Sequence, residues 1–334
     1  MEIGKLPPEL LERMLGTPGA MPEGLVLGPG PGRDAAVVHL DDRYLVLAAD
    51  PISFPTPRPG WYAVHVNAND VACLGADPRW FLATVLLPPS TPEAEVESLF
   101  DDLRTACAEV GAFLVGGHTE VTDAVHQPVL AGAMVGETPH DRLFLSGAGR
   151  PGDLILQLGP VAIEGTAILA TEAAPALRAA GLDDAELTAA AALLDDPGIS
   201  VLPAARALWP LPGLRSLHDP TEGGIATAAW ELADASGLGL RLEHAAIRRH
   251  PLTDRIALAL EIDWLGLLAS GSLLAVFAPA EAANAVRDLH NSGHEAAIVG
   301  ELSGSGRQAI LSEDGATRVL PRFQRDELTR VLAP

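Results

Sequence analysis

Four short motifs interrupt this chain in order: Gly32-Arg33-Asp34-Ala35-Ala36-Val37, Asn67-Ala68-Asn69-Asp70-Val71-Ala72, Gly116-Gly117-His118-Thr119-Glu120 and Asp219-Pro220-Thr221-Glu222-Gly223-Gly224. Each sets a carboxylate or a bare glycine backbone beside an apolar strand or helix. Carboxylates that converge in a fold repel one another unless a positive charge joins them, and Mg²⁺ carrying a polyphosphate is the usual joint. The pattern predicts a nucleotide site built on acids and metal, with no lysine loop.

Lys5 is the only lysine among 22 basic residues. A P-loop needs Gly-Lys-Ser/Thr, so that class of nucleotide binding is excluded. Lys5 reads either as a phosphate contact or as a survivor of arginine-biased codon usage. The formal charge of −22 argues against nucleic-acid binding, because a phosphate backbone would be repelled. Cys73 and Cys107 lack metal-ligand spacing and read as small buried hydrophobes of a reduced, cytoplasmic protein. The start Met1-Glu2-Ile3-Gly4-Lys5 has no signal-peptide pattern and no apolar run reaches membrane-spanning length, so no membrane association is expected.

At 334 residues, with 48% hydrophobic content, the chain has material for two domains. The turn-rich stretch from Gly147 to Asp153 places the boundary between 1–148 and 149–334. Strand-like and helix-like segments mix throughout, which makes the class α/β or α+β. Helices are expected over Pro8–Gly16, Trp61–Gly75, the stretch after Pro92, and Gly224–Ala235. Strands are expected at Ala35–Val38, Tyr44–Ala49, Phe81–Leu87, a short Phe113–Val115 ending at Gly116-Gly117, and Val129–Val135.

The motifs have plain readings beside the functional ones. Gly28-x-Gly30-x-Gly32 is not a dinucleotide fingerprint, which needs a strand before the glycines and a helix after them; here the strand follows. Gly30 and Gly32 belong either to a loop closing over phosphates or to a surface turn. Asp34, Asp50 and Asp70 are metal ligands or, taken singly, caps and turn formers. Asn67 and Asp70, three apart, share a helix face. Gly116 and Gly117 allow close backbone approach to a ligand, with His118 and Glu120 on alternate positions; a tight turn would look the same. Asp219 and Glu222 precede a helix whose N-terminal amides suit an anion. The two acids oppose a bare anion but suit one carrying a metal, or a substrate amine.

Taken in order, these motifs resemble the superfamily of aminoimidazole ribonucleotide (AIR) synthetase, thiamine-monophosphate kinase, selenophosphate synthetase and the hydrogenase-maturation carbamoyl dehydratase, and the HypE-like branch most of all. The likeness runs from Gly4-Lys5-Leu6 to Val299-Gly300-Glu301. It implies a PurM-like two-domain fold whose N-terminal sheets pair into a barrel in a homodimer. It also implies ATP and Mg²⁺ as cofactors and phosphorylation of an oxygen on a small-molecule acceptor. By motif, Asp34, Asp50, Asp70 and Glu120 would hold metal. Lys5, Gly30, Gly32, Asn67, Gly116, Gly117, His118 and Thr119 would bind nucleotide, and Asp219 and Glu222 would face the acceptor. His118 stands where relatives write aspartate, and Glu222 where the dehydratase writes arginine. The chain ends Arg330-Val331-Leu332-Ala333-Pro334, without the dehydratase's Pro-Arg-Ile-Cys, so carbamoyl dehydration is not expected. The alternatives are a non-catalytic ATP-binding partner in hydrogenase maturation and a thiamine-phosphate kinase or purine-pathway synthetase.

Overall fold

The structure, a computed structural model, describes residues 8–15, 22–30, 32–53, 56, 58–304, 306 and 308–332. It falls into two compact units. One holds Asp34–Leu143 and the chain just before Gly30; the other holds helix α1 (Pro8–Leu15), Gly30–Arg33 and the chain from Phe144 onward. Lys5 lies outside the described residues. No helix among those described is long and apolar enough to cross a membrane.

The N-terminal unit is a seven-stranded sheet with two helices. Its strands are β1 (Leu25–Leu27), β2 (Ala36–Leu40), β3 (Arg43–Ala48), β4 (Pro51–Ile52), β5 (Asp77–Leu87), β6 (Phe113–Val121) and β7 (Val129–Pro139). The order is β1-β2-β3-β7-β5-β6, with β4 pairing to β7. Between β4 and β5 runs α2 (Pro59–Cys73), which opens on a proline, where the missing N–H costs nothing. Thirteen of its fifteen residues are buried, including Asn67, Asn69 and Asp70. Helix α3 (Glu93–Val110) is amphipathic instead. It buries Leu99, Leu103, Ala106, Cys107 and Val110, carries Glu93 and Glu95 in its first turn, and ends on Gly111 in the left-handed region. It makes the crossover between parallel strands β5 and β6.

Along β5, Phe81, Ala83, Val85 and Leu87 are buried while Trp80 and Leu82 are exposed. The period-two alternation puts one sheet face on the helices and leaves the other open. That open face is apolar too: Leu82 pairs with Ala133 of β7, and Leu47 of β3 pairs with Val135. At the edge, Phe113, Val115 and Val121 of β6 are 72%, 53% and 65% exposed.

The C-terminal unit has a second seven-stranded sheet. Its elements are β8 (Leu154–Leu158), α4 (Ile163–Glu172), α5 (Ala174–Ala179), α6 (Asp184–Ala191), α7 (Leu202–Leu208), β9 (Leu214–His218), α8 (Gly224–Ser236), β10 (Gly239–Glu243), α9 (Pro251–Ala259), β11 (Leu273–Phe277), α10 (Pro279–Asn291), β12 (Ala296–Ser303), β13 (Ala309–Glu313), β14 (Ala316–Val319) and α11 (Glu327–Leu332). The order is β14-β13-β10-β12-β8-β11-β9. Helix α8 supplies Ile225, Ala229 and Leu232 to a core shared with Ile155, Val276 and Val299.

The mixed α/β class read from the sequence is the one observed. One local expectation is corrected. Gly116 and Gly117 do not end a strand; β6 runs through them to Val121, paired with β5 from Leu82↔Gly116 to Leu87↔Val121. A β-carbon on Gly117, at φ +142°, would lie 1.9 Å from the Ala83 carbonyl oxygen. The glycine is there for strand contact. The tight turn considered for it is ruled out by the pairing.

Candidate functional site

In the N-terminal unit, Asn67 ties the end of β3 to α2. Its Oδ1 accepts the Asp50 amide at 2.9 Å, and its Nδ2 donates to the carbonyls of Asp50 at 3.1 Å and Ala63 at 2.8 Å. Asn67 is wholly buried, whereas Asp50 is exposed. The amide therefore fixes the backbone of Asp50 and leaves its carboxylate at the surface. Asp70 lies one turn further along α2, 5% exposed. Asn67 and Asp70 thus share one face of α2, as their three-residue spacing predicts, and the Asp50 backbone is fixed to the first of them. Asp34, half-buried, sits just before β2. Among the described residues, Asp34, Asp50 and Asp70 do not form a cage with ligand atoms all within 4.8 Å of one another. Mg²⁺ does not need one, since it takes one or two carboxylates with phosphate oxygens and water.

On β6, Gly116, Gly117, His118, Thr119 and Glu120 are all exposed. His118 Nε2 meets Glu120 Oε2 at 2.9 Å, as two side chains on one strand face should. A contact between α2 and α3 belongs to packing: the exposed Glu109 of α3 accepts from the buried Trp61 Nε1 at 3.1 Å and meets the buried His65 Nε2 at 2.9 Å. Burial pushes the His65 pKa down, against that carboxylate.

In the C-terminal unit, Gly30 and Gly32 are half-buried, and the Gly32 backbone comes against the Glu231 carbonyl of α8. Gly32 lines a small cleft with Ser146, Gly147, Ser216, His218 and Glu231. His218 Nε2 meets Glu231 Oε2 at 3.0 Å there. The next residue, Asp219, is 2% exposed. Glu222 is half-exposed, and Gly223 and Gly224 both take left-handed φ as α8 begins.

At the N-cap of α8 one backbone amide is taken by an acid of the chain itself. Asp326 accepts the Gly223 amide at 2.7 Å, the Leu268 amide at 3.2 Å and the Leu328 amide at 2.8 Å. Even so, burial pushes its carboxyl up to about 6, with Glu222 adding to the rise.

Glu164, in the first turn of α4, carries no sequence motif and is 2% exposed. Burial pushes its carboxyl up to about 7; hydrogen bonds from Ser270 oppose the rise, and Asp326 and Asp219 reinforce it. Its Oε2 is buried without a hydrogen-bond partner among the described residues. The signal for it in the sequence is slight: one carboxylate inside the apolar run Ile163–Ala170. Asp326 and Ser270 carry no local signal at all.

The chain matches the family described as AIR synthase related protein, through its N-terminal domain over residues 32–138 and its C-terminal domain over residues 150–312. It belongs to that family. Within the family it is HypE-like: it is 31% identical over 303 residues to the carbamoyl dehydratase HypE of Cupriavidus necator, covering 89% of this chain and 82% of that protein. Two solved structures share the fold. One is the hydrogenase maturation protein HypE in complex with ATP, with TM-score 0.72 and 24% identity over 88% of this chain and 90% of that one. The other is a HypE–HypF complex, with TM-score 0.72 and 20% identity over 86% and 93%.

Proposed function

We propose that this protein is an ATP- and Mg²⁺-dependent phosphoryl-transfer enzyme acting on a small-molecule acceptor. The observation that carries the reading is the Asn67 bridge, which fixes the Asp50 backbone to the α2 residue one turn before Asp70. The ATP complex of a HypE with the same fold supports the choice of nucleotide. The donor set suits Mg²⁺, because carboxylate oxygens are the hard ligands it takes. Asp50 and Asp70, with Asp34 and Glu120, would hold it; when bound, it supplies neutralisation of phosphate charge. Gly30, Gly32, Gly116, Gly117, His118 and Thr119 are assigned to nucleotide, and Asn67 to positioning Asp50. Asp219 and Glu222 are assigned to the acceptor. Phosphoryl transfer rests largely on positioning and charge.

The apolar open face of the N-terminal sheet and its exposed edge β6 support a homodimer that buries them. Neither internal cysteine suits a thiol acceptor: Cys73 and Cys107 are 1% and 3% exposed, and burial pushes the Cys107 thiol up to about 11. A docking role in metalloenzyme maturation is the second reading, favoured by the HypE–HypF likeness.

Calorimetry with Mg-ATP tests the first reading. The Asp70→Asn variant is expected to lose binding while keeping its fold; unchanged affinity refutes the assignment. Nucleotide binding without ADP formation across an acceptor panel would favour the docking role.

A further inference from the structure

Helices α2 and α3 meet through one carboxylate and two rings. Glu109 Oε2 of α3 accepts from Trp61 Nε1 at 3.1 Å and meets His65 Nε2 at 2.9 Å. Trp61 and His65, one turn apart on α2, have ring centroids 4.4 Å apart, and both are buried. The Arg58 guanidinium lies over the Trp61 ring at 4.3 Å.

The carboxylate fixes the tautomer of the imidazole. An ionised Glu109 can only accept, so His65 Nε2 carries the proton and Nδ1 the lone pair. Nδ1 is buried without a hydrogen-bond partner among the described residues. A second proton on the ring would create a buried N–H with no acceptor and a charge withdrawn from water. Glu109 compensates that charge poorly, because its side chain is 46% exposed and already serves Trp61. Arg58 opposes it as a cation on the same indole. Glu109 of α3 and Arg58, just before α2, are the charged groups that act on His65; among the described residues the strands packed on α2 add none. Asp102 of α3 acts on Arg58. Burial outweighs Glu109 and holds the imidazole below its ordinary 6.5.

We infer that His65 is an acid-sensitive latch of the α2–α3 seam: neutral, it bridges α2 to Glu109, and protonated, it must leave the seam for water. The proton comes from solvent and binds Nδ1. The open seam takes it up more readily than the closed one, so closure weakens as pH falls below about 6.5 and is unaffected well above it. This inference goes beyond the proposed function and does not rest on it. Helix α2 also holds Asn67 and Asp70, so acid loosens the element on which both sit.

The test is amide hydrogen exchange on the full chain, without nucleotide or Mg²⁺, from pH 7.5 to 5.5, read as protection factors of the α2 and α3 amides. Protection in the native chain is expected to fall by up to about tenfold over that range, as one proton with an ordinary histidine affinity in the open state requires. His65→Gln keeps an N–H for Glu109 but cannot take a proton, and its protection should be flat with pH. Glu109→Gln, at an exposed position, should keep or enlarge the acid effect, because the charged imidazole then has no carboxylate beside it. Equal pH dependence in the native chain and a folded His65→Gln would overturn the latch, as would loss of the acid effect in Glu109→Gln. If His65→Gln does not fold, the His65 ring is followed by NMR in the native chain. Titration below that of histidine in a free peptide, with the α2 amides shifting alongside, supports the latch; ordinary titration with α2 unchanged overturns it.

Discussion

The Asp326 carboxylate accepts the Gly223 amide at 2.7 Å across 103 residues of sequence, and its other oxygen takes the amides of Leu268 and Leu328. One side chain thus ties the start of α11 to the loop that begins α8. Removing it strands buried N–H groups. Asp326→Ala is expected to cost about 2–4 kcal/mol, from orphaned donors and a lost ionic acceptor. Asp326→Asn, which keeps one carbonyl oxygen, should cost less. Urea unfolding monitored by circular dichroism checks the order.

Stability should depend on pH through Glu164. Its folded carboxyl sits at about 7 against an ordinary 4.5, so the folded chain holds the proton more tightly than the unfolded one. Stability from this group therefore falls as pH rises from 4.5 to about 7 and is flat on either side. Asp326 adds a fall of the same sign, from 3.8 to about 6. Glu164→Gln removes the first contribution, and relative to the native chain it should gain stability as pH climbs through that window, by about 3 kcal/mol in all. Unfolding free energies at a series of pH values read the slope; parallel curves for the two proteins would refute it.

Asn67→Ala should act at a distance from any ligand. It orphans the Asp50 amide and removes one donor from the carbonyls of Asp50 and Ala63. The Asp50 carbonyl keeps the Gly132 amide at 3.0 Å and Ala63 lies inside α2, so the cost is about 1–3 kcal/mol. Mg-ATP affinity should fall with it, because Asp50 loses its anchor. Asn67→Asp keeps the acceptor for the Asp50 amide but sets a buried carboxylate against two carbonyl oxygens, and should cost at least as much as Asn67→Ala. Calorimetric titration alongside thermal unfolding separates the two effects.

The exposed apolar strand edge predicts association. Leu82→Asp and Phe113→Asp each place a charge on the open sheet face or its edge, and should shift a dimer toward monomer by tenfold or more in dissociation constant, about 1.4 kcal/mol or above. Sedimentation velocity over a concentration series reads it. A native chain that is already monomeric at high concentration would remove the homodimer from the proposal.

Elements with a long, strong pattern were legible in the sequence. Helix α3 announces itself through Leu99, Leu103 and Cys107 on one stripe after Pro92, and α8 through its run after Gly224. Gly116-Gly117 misled because glycine pairs locally signal a turn, while parallel pairing with β5 carries the strand through them. The contact that Gly117 serves, with the Ala83 backbone, is tertiary and leaves no local trace. The same limit hid Asp326 and Glu164. Their roles depend on amides and acids brought from other elements, and a lone acid inside an apolar helix reads first as solvent-facing. The Asn67–Asp70 spacing was legible because a single helix turn decides it.

Gly30–Arg33 pack with the C-terminal unit although they precede most of the N-terminal one. This threading means that no single backbone cut between residues 143 and 144 frees two finished halves. A fragment starting at Phe144 would lack the Gly32 wall of the cleft beside His218. During synthesis, that short early piece must also wait for α8, some 200 residues later, to leave the ribosome before it can dock.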